Sequence, residues 1–301
     1  MTLSVGVVIP TRGDRPAQLR EAVESALAQD HPGRLSVVVV ADGVAPADVD
    51  VPASARVLPN TRTPGLPGAR NTGIAACDTD LVAFCDDDDL WLPGKLAAQV
   101  RALRDRGGAF ASCGIEVEYV REERGPGEPT RVPRLAGRDT VTADDLARSR
   151  MVMVHSSTFL FERGALWADE SAPNGQNEDW DLALRAAKRQ PITYVDRPLV
   201  RVRWGASHYV ARWADRIAGL DWMLARHPEL AVDPRGAARV CGQLAFAHAA
   251  LGHRREATRW ALRALATRPG EPRAPIALAV AAGLVSAPTI LSALHRRGHG
   301  I

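Results

Sequence analysis

Three short apolar runs, rich in β-branched residues, constrain the fold of this chain most strongly. They cover residues 5–9, 37–40 and 81–85, and much of the sequence between them carries apolar residues at helical spacing. A strand that is apolar on both faces belongs in a sheet that is covered on both sides. The alternation of such strands with helices therefore predicts an α/β fold with a mostly parallel sheet.

The alternation weakens after about residue 110, and after about residue 209 the sequence becomes helical and rich in alanine and arginine. At 301 residues the chain is long enough for a main domain and a smaller appendage. We therefore predict a main domain over residues 1–208 and a helical region over residues 209–301. This helical region contains one helical pair similar to a tetratricopeptide repeat, whereas a solenoid needs about three such units.

Net charge and cysteine content do not support a nucleic-acid-binding or a secreted protein. The formal net charge of +3 is slight, so it does not support a nucleic-acid partner. The four cysteines are scattered without a C-x-x-C pair, and the N-terminal sequence enters a strand pattern directly, without the features of a secretory leader. We therefore expect a cytoplasmic protein.

One uncharged stretch, residues 274–294, raises the question of a membrane span. A spanning helix needs about 20 strongly apolar residues. This stretch is mostly alanine and is interrupted by Gly283 and Pro288, which favours a packed helix or a shallow contact with a membrane. The basic residues 295–297 behind it suit an anionic surface, so peripheral association with the cytoplasmic face of a membrane is one expectation.

Four consecutive aspartates, residues 86–89, directly follow the third apolar run. Two like charges 4 Å apart repel by about 4 kcal/mol at an effective dielectric constant near 20, so the run is costly without a positive partner. Ligands of open α/β sheets bind at the carboxyl ends of strands, and Mg²⁺ or Mn²⁺ held by such carboxylates can bridge to substrate phosphates. The alternative is a solvated turn whose acids favour the positive end of the following helix.

Other polar residues at predicted strand or helix ends allow two interpretations each. Asp42 either accepts a hydrogen bond from a nucleobase or forms an ordinary Asp-Gly turn. Arg70 and Asn71 either contact a diphosphate or ribose, or are exposed helix residues. His155, in a segment predicted as a strand, either lines a sugar or acceptor site or is structural.

Five segments, in this order and at these spacings, resemble family 2 glycosyltransferases of the GT-A type. They read VVIPTRGDRPAQLREAVESALAQ, VVVVADG, GLPGARNTGI, AFCDDDDLWLPGKLAAQ and NEDWDLALR. The resemblance covers roughly residues 4–205 and leaves the helical tail outside. The fold that it implies is a mixed sheet flanked by helices, here with an all-α C-terminal appendage. The activity that it implies is inverting sugar transfer from a nucleotide-sugar donor.

The resemblance also implies roles for individual residues. Its donor-binding positions are Pro10, Arg12, Asp42, Arg70, Asn71, Asp86 and Asp87. Among these, Asp42 matches the base-recognising aspartate, while Asp86 and Asp87 match the ribose side of the D-x-D region. Asp88 matches the metal-ligating carboxylate, and Asp179 matches the catalytic base.

Two positions depart from the family pattern. The usual DDGS is ADGV here, with Ala41 in the first acidic position, which leaves the identity of the base open. Trp204 stands near the place of a late histidine, so His208 is the substitute for that metal ligand.

Three functional hypotheses follow from these motifs. The leading one is metal-dependent transfer of a sugar to a hydroxyl of a glycan, a lipid carrier or a small molecule. In-line inversion requires a base on the acceptor and charge stabilisation on the leaving diphosphate, and Asp179 and a cation at Asp88 meet these needs. The alternatives are nucleotidyl transfer on a similar sheet, and a non-catalytic scaffold that binds a protein through its helical tail.

Overall fold

The computed structural model describes residues 2–119, 129–204 and 212–295. Its strands are β1 Val5–Thr11, β2 Leu35–Ala41, β3 Ala55–Pro59, β4 Leu81–Phe84, β5 Leu90–Trp91, β6 Phe110–Tyr119, β7 Thr130–Arg134, β8 Thr140–Val141, β9 Leu160–Glu162 and β10 Ile192–Arg203. Its helices are α1 Pro16–Leu27, α2 Leu66–Ala76, α3 Lys95–Arg106, α4 Ala143–Arg148, α5 Glu178–Arg189, α6 Trp213–Arg226, α7 Pro234–Ala250, α8 Arg254–Thr267, α9 Arg273–Ala281 and α10 Ala287–His295.

The strands form one mixed sheet in the order β3-β2-β1-β4-β9-β6-β10-β5. Strands β3, β2, β1 and β4 are parallel, β9 runs antiparallel to both of its neighbours, and β6 is parallel to β10. Short β7 and β8 add antiparallel pairs to β6 and β10. The predicted mixed sheet flanked by helices is therefore confirmed.

Helices cover both faces of the sheet, as the apolar strands require. On one face, Val7 and Ile9 of β1 share a hydrophobic cluster with α1 and α3. On the other, Val8 belongs to a cluster with α2 and α5. Each large aliphatic side chain buried in this way contributes about 1.5–3 kcal/mol to folding, so the two clusters hold the helices to the sheet.

The connection order reverses at β1, which lies between β2 and β4. A crevice at the carboxyl ends of strands is expected at such a point. Helix α2 lies directly against β1 because residue 73 is glycine: a Cβ there would be 2.2 Å from Cγ1 of Val8. This close approach places the start of α2 beside the ends of β1 and β4.

The helical tail packs on the sheet domain and on itself. Leu220, Met223 and Leu244 of α6 and α7 belong to the same cluster as Trp180 of α5. A separate apolar cluster joins α7 to the helices that follow it. The uncharged segment forms α9 and α10, separated by a turn at Gly283. Within the described ranges, none of the helices has the length and apolarity needed to cross a bilayer.

Candidate active site

The turn after β4 places the four aspartates of the acid run beside two arginines from other segments. Arg15, at the start of α1, contacts Asp87 at 2.9 Å and also Asp88. Arg70, in the first turns of α2, contacts Asp86 at 2.6 Å. Much of the positive charge that the run requires is therefore supplied by the chain itself.

Asp87 faces the interior, toward β1. Its Oδ2 accepts a hydrogen bond of 2.7 Å from Oγ1 of Thr11, and its side chain is almost completely buried. Burial raises the pKa of Asp87 to about 6, although Arg15 and Thr11 act in the opposite direction. Burial thus makes the ionised form of Asp87 costly, and Arg15 and Thr11 offset only part of that cost.

Asp86, Asp89 and His155 form a group that can hold a metal ion. One ligand atom from each lies within 4.8 Å of the others. Oγ of Ser156 donates to Asp86 at 2.8 Å and Oγ of Ser157 donates to Asp89 at 2.5 Å, which orients both carboxylates. Burial, followed by the charges of neighbouring aspartates, raises the pKa of Asp89 well above its usual range.

The donor set of this group suits one class of cation. Two carboxylates with one imidazole fit Mn²⁺ better than Mg²⁺, which prefers an all-oxygen shell. His155 reaches the group because residues 156–158 form a 3-10 turn, where the sequence predicted a continuous strand. Asp88 contacts Arg15 and is not one of the three, so its metal-ligating role stays a prediction. His208 lies outside the described residues.

Arg70 is the central cation of the site. Its guanidinium is 1% exposed, contacts both Asp86 and Glu178, and lies 5.3 Å from the ring centre of Phe84. Burial raises the pKa of Glu178 to about 7 in spite of Arg70. Arg70 therefore ties the acid run to the start of α5.

Asn71, the next residue, faces a different loop. Its side-chain amide donates to the carbonyl oxygen of Ala168 at 2.9 Å and to Glu170 at 2.8 Å. Its Oδ1 accepts from the backbone N–H of Ala168 at 2.9 Å. These bonds anchor the loop before α5 to α2, and the donor contact implied for Asn71 stays a prediction.

The remaining donor-side residues lie at the ends of β1 and β2. The carboxylate of Asp42 accepts hydrogen bonds from Nδ2 of Asn60 at 2.7 Å and from the N–H of Gly65 at 2.9 Å. Because each carboxylate oxygen can accept two hydrogen bonds, Asp42 keeps capacity for a ligand. Pro10 is buried within β1, and Arg12 is exposed just beyond it.

Asp179 lies in the first turn of α5 and is paired with Arg150. Both of its carboxylate oxygens are 3.0 Å from Nη2 of Arg150, and Oδ1 also accepts from the N–H of Trp180 at 2.8 Å. Burial alone would raise the pKa of Asp179, but the charges of Arg150, His155 and Arg70 hold it below its usual value. His155 and Arg70 act on Asp86 in the same way, so Asp179 and the acid run share one electrostatic environment.

The structure adds site residues that sequence reasoning did not identify. They are Arg15, Asp89, Arg150, Ser156, Ser157 and Glu178. Arg15 and Glu178 stand inside the recognised motifs, and their charge beside the matched positions was a usable signal. Arg150 has no such signal, because it lies outside the recognised motifs and 29 residues before Asp179.

Comparison with known proteins agrees with this geometry. The sequence pattern of the family described as Glycosyl transferase family 2 matches residues 6–168, more than half of the chain. No curated protein matches the chain in sequence. The chain is similar in structure to S. aureus TarS 1–349 in complex with UDP-GlcNAc, with a TM-score of 0.55, 14% identity and coverage of 99% of this chain and 93% of that chain.

Two further structures are similar. PcManGT, a mannosyltransferase from Pyrobaculum calidifontis in complex with GDP-Man and Mn²⁺, has a TM-score of 0.53 at 18% identity, over 99% of this chain and 80% of that chain. The longer S. aureus TarS has a TM-score of 0.54 at 13% identity, over 93% of this chain and only 54% of that chain. At these identities the structures establish the fold, and the matched sequence pattern establishes the family. The chain belongs to glycosyl transferase family 2 and is a glycosyltransferase with the GT-A fold.

Proposed function

We propose that this glycosyltransferase is inverting and depends on a divalent cation, moving a sugar from a nucleoside-diphosphate donor to an acceptor hydroxyl. One observation carries the proposal: Asp86, Asp89 and His155 stand within cation-binding distance of one another in the same electrostatic environment as Asp179. Structural relatives in complex with UDP-GlcNAc, and with GDP-Man and Mn²⁺, support this donor class.

The donor lies in the crevice at the ends of β1, β2 and β4. Asp42 accepts a hydrogen bond from the base, and Asp86 and Asp87 face the ribose side. The proposal also assigns Pro10, Arg12, Arg70 and Asn71 to the donor side, as the family motif implies. Arg70 acts there chiefly by holding Asp86 in position, since its own donors already face Asp86 and Glu178.

The charge balance of the crevice supports a bound cation. Among the described residues, six carboxylates share three guanidinium groups, and the partners are Asp86, Asp87, Asp88, Asp89, Glu178 and Asp179 with Arg15, Arg70 and Arg150. Asp86, Asp89 and His155 would hold Mn²⁺ or Mg²⁺, with Asp88 and His208 as the further ligands implied by the family pattern. A cation held there stabilises the charge that develops on the leaving diphosphate.

Asp179 acts as the base on the acceptor hydroxyl. Its depressed pKa keeps the carboxylate ionised. Oδ1 already accepts from Arg150 and from the N–H of Trp180, so Oδ2 is the oxygen that can accept from the acceptor hydroxyl in addition to Arg150. Attack from the face opposite the leaving diphosphate, in a single displacement, inverts the anomeric centre. The acceptor is a hydroxyl of a glycan, a lipid-linked sugar or a small molecule.

The predicted peripheral contact with a membrane is also part of this proposal. It is supported by Leu284, which is 82% exposed in the turn between α9 and α10. We expect the protein to sediment with anionic vesicles and Leu284→Ser to reduce the bound fraction. Equal sedimentation of both proteins would remove this part of the proposal.

The function is tested by incubating the protein with UDP-, dTDP- and GDP-sugars, with Mn²⁺ or with EDTA. We expect release of a nucleoside diphosphate, lost with EDTA, and a product whose anomeric configuration is opposite to that of the donor. Release of pyrophosphate would instead indicate nucleotidyl transfer. Absence of donor binding by calorimetry, with capture of a protein through residues 209–301, would indicate a scaffold.

A further inference from the structure

Four arginines from separate segments converge between the helical tail and the start of α5. They are Arg150, Arg216, Arg239 and Arg273, and we refer to them as the arginine cluster. Arg150 and Arg216 line a small cavity together with Trp180. The guanidinium of Arg239 lies 5.1 Å from the centre of the Trp180 ring. Three of the four thus lie near Trp180, and the charge of Arg273 acts on Arg216 and Arg239.

Some buried donors of this cluster have no hydrogen-bond partner in the described part of the chain. Arg150 contacts Asp179 at 3.0 Å, and Arg273 contacts Glu271 at 2.8 Å. Nε and Nη2 of Arg239 are buried and have no hydrogen-bond partner in the described part of the chain, and the same holds for Nε of Arg273. A buried donor without a partner costs free energy and is uncommon in proteins, so we expect these atoms to donate to a bound acceptor.

The electrostatics of the cluster indicate that this acceptor carries negative charge. Burial, followed by the charges of Arg273 and Arg150, lowers the pKa of Arg239 to about 9. Burial, followed by the same two neighbours, lowers the pKa of Arg216 to about 10. Because a guanidinium keeps its proton at neutral pH, the cluster can relieve this repulsion only by taking up negative charge.

Stacking on Trp180 does not account for the arrangement. Arg263 also lies over a tryptophan, 5.4 Å from the ring centre of Trp260, but Arg263 is exposed and water satisfies its donors. The ring contact of Arg239 uses one face of the guanidinium and leaves the buried edge without a partner. Both arginines stack on a tryptophan, but only the guanidinium edge of Arg239 is buried, whereas that of Arg263 is exposed.

We propose that the arginine cluster binds a phosphate group of the acceptor, so that the helical tail completes the acceptor site. This inference rests on the proposed glycosyltransferase function and names the class of acceptor. Guanidinium groups that approach from several segments suit the tetrahedral oxygens of a phosphate, whereas a carboxylate is satisfied by one bidentate arginine. Arg150, shared between the cluster and Asp179, places the bound phosphate beside the base.

Binding requires Arg150 to move. The cavity has a volume of about 30 Å³, which is room for a group the size of a water molecule. The side chain of Arg150 is 40% exposed and is therefore free to swing outward. An acceptor phosphate competes with Asp179 for Arg150, and its arrival leaves more of the Asp179 carboxylate for the acceptor hydroxyl.

The first test measures binding of phosphate probes to the full chain by calorimetry. The probes are glycerol 1-phosphate, and phosphatidylcholine vesicles with and without a sugar linked to polyprenyl diphosphate, because both probes carry a phosphate and a hydroxyl. We expect Arg239→Gln to weaken binding about tenfold or more, because one charge-assisted donor set is lost. Arg263→Gln is the matched control and leaves binding unchanged. Binding of glycerol 1-phosphate indicates a soluble phosphate ester, whereas binding only to the vesicles with the lipid-linked sugar indicates an acceptor on a lipid carrier.

Either of those two results supports the proposal. Absence of binding to both probes, or equal binding by Arg239→Gln and the unaltered chain, overturns it. The proposed function is tested by a separate assay. Absence of donor turnover would overturn it, and that assay needs no phosphate probe.

The second test uses stability, which also controls for misfolding. Arg239→Gln removes a positive charge whose buried Nε and Nη2 have no hydrogen-bond partner among the described residues, so we expect its melting temperature to rise without ligand and to respond less to added phosphate. A melting temperature that falls, with an unchanged response to phosphate, would mean that Arg239 is structural and would overturn the assignment.

Discussion

The acid run and the arginine cluster are two groups of like charges near the start of α5, and they differ in how the chain compensates them. Each of Asp86, Asp87 and Asp88 contacts an arginine from another segment. In the arginine cluster, Arg239 keeps buried donors without a partner in the described part of the chain. The two groups meet at one ion pair, between Arg150 and Asp179. The comparison suggests how to recognise a cluster of like charges that binds a ligand: some of its charged groups stay unpaired within the protein.

The largest expected effect is on the rate of sugar transfer, and it follows from changing Asp179, the acid of the ion pair between the two groups. Asp179→Asn removes the base while preserving its shape, and general-base catalysis is worth about 10²- to 10⁴-fold. We therefore expect transfer to fall by this factor while calorimetric affinity for the donor stays within about twofold. Full activity of the variant would show that Asp179 is not the base. The ion pair between the two groups would then have no role in catalysis.

Internal pairing of the acid run is tested by comparing two arginines. Arg70→Met leaves Asp86 and Glu178 buried without a cation, which should lower the free energy of unfolding by about 3–5 kcal/mol. Arg20→Met is the control, because the ion pair between Arg20 and Asp50 is exposed to solvent and its loss should cost at most about 1 kcal/mol. Urea unfolding of both variants measures the difference. Equal losses would show that burial does not distinguish the two pairs.

The cation assignment is tested within the acid run. Asp89→Asn should lower Mn²⁺ affinity at least about tenfold, since even the loss of a group that only supports a metal ligand costs 10- to 100-fold. Asp88→Asn should have a smaller effect, because Asp88 contacts Arg15. Electron paramagnetic resonance of free Mn²⁺ measures both affinities. The opposite ranking would favour the family-implied assignment to Asp88.

Asp181 of α5 offers a third case, an acid that is fully compensated. Burial would raise its pKa, but hydrogen bonds from His227, Arg185 and Arg226 lower the pKa to about 2. Its ordinary value is 3.8, so the stabilisation is complete above about pH 4 and is lost as the pH falls toward 2. The contribution is at most about 2 kcal/mol. Acid unfolding should show this loss, and Asp181→Asn should flatten the curve in that window.

Much of the fold and part of the site could be predicted from the sequence. The alternating apolar runs predicted an α/β sheet covered by helices on both faces, and the ordered motifs predicted the family and, with it, the mixed sheet. The motifs also placed the acid run and Asp42 directly after predicted strands. These features follow from periodicity and from charges adjacent along the chain, so a few residues at a time define each of them.

The identity of the cation group required the tertiary structure. Asp89 and His155 come together only because β9 lies beside β4 and residues 156–158 turn into the crevice. The pairing of Arg70 with Glu178 joins residues separated by 108 positions. No local pattern encodes such a contact, because it depends on the packing of α2 and α5 against the same face of the sheet.

The sequence by itself determined where negative charge gathers, since four adjacent aspartates behind a buried strand leave the chain no means of separating them. Only the tertiary structure decided where positive charge gathers, since the cluster draws on residues 150, 216, 239 and 273 from four separate segments. The physical reason is the range of each constraint. Neighbours in sequence are held together by covalent bonds, whereas the arginines are brought together by the apolar packing of α5, α6 and α7.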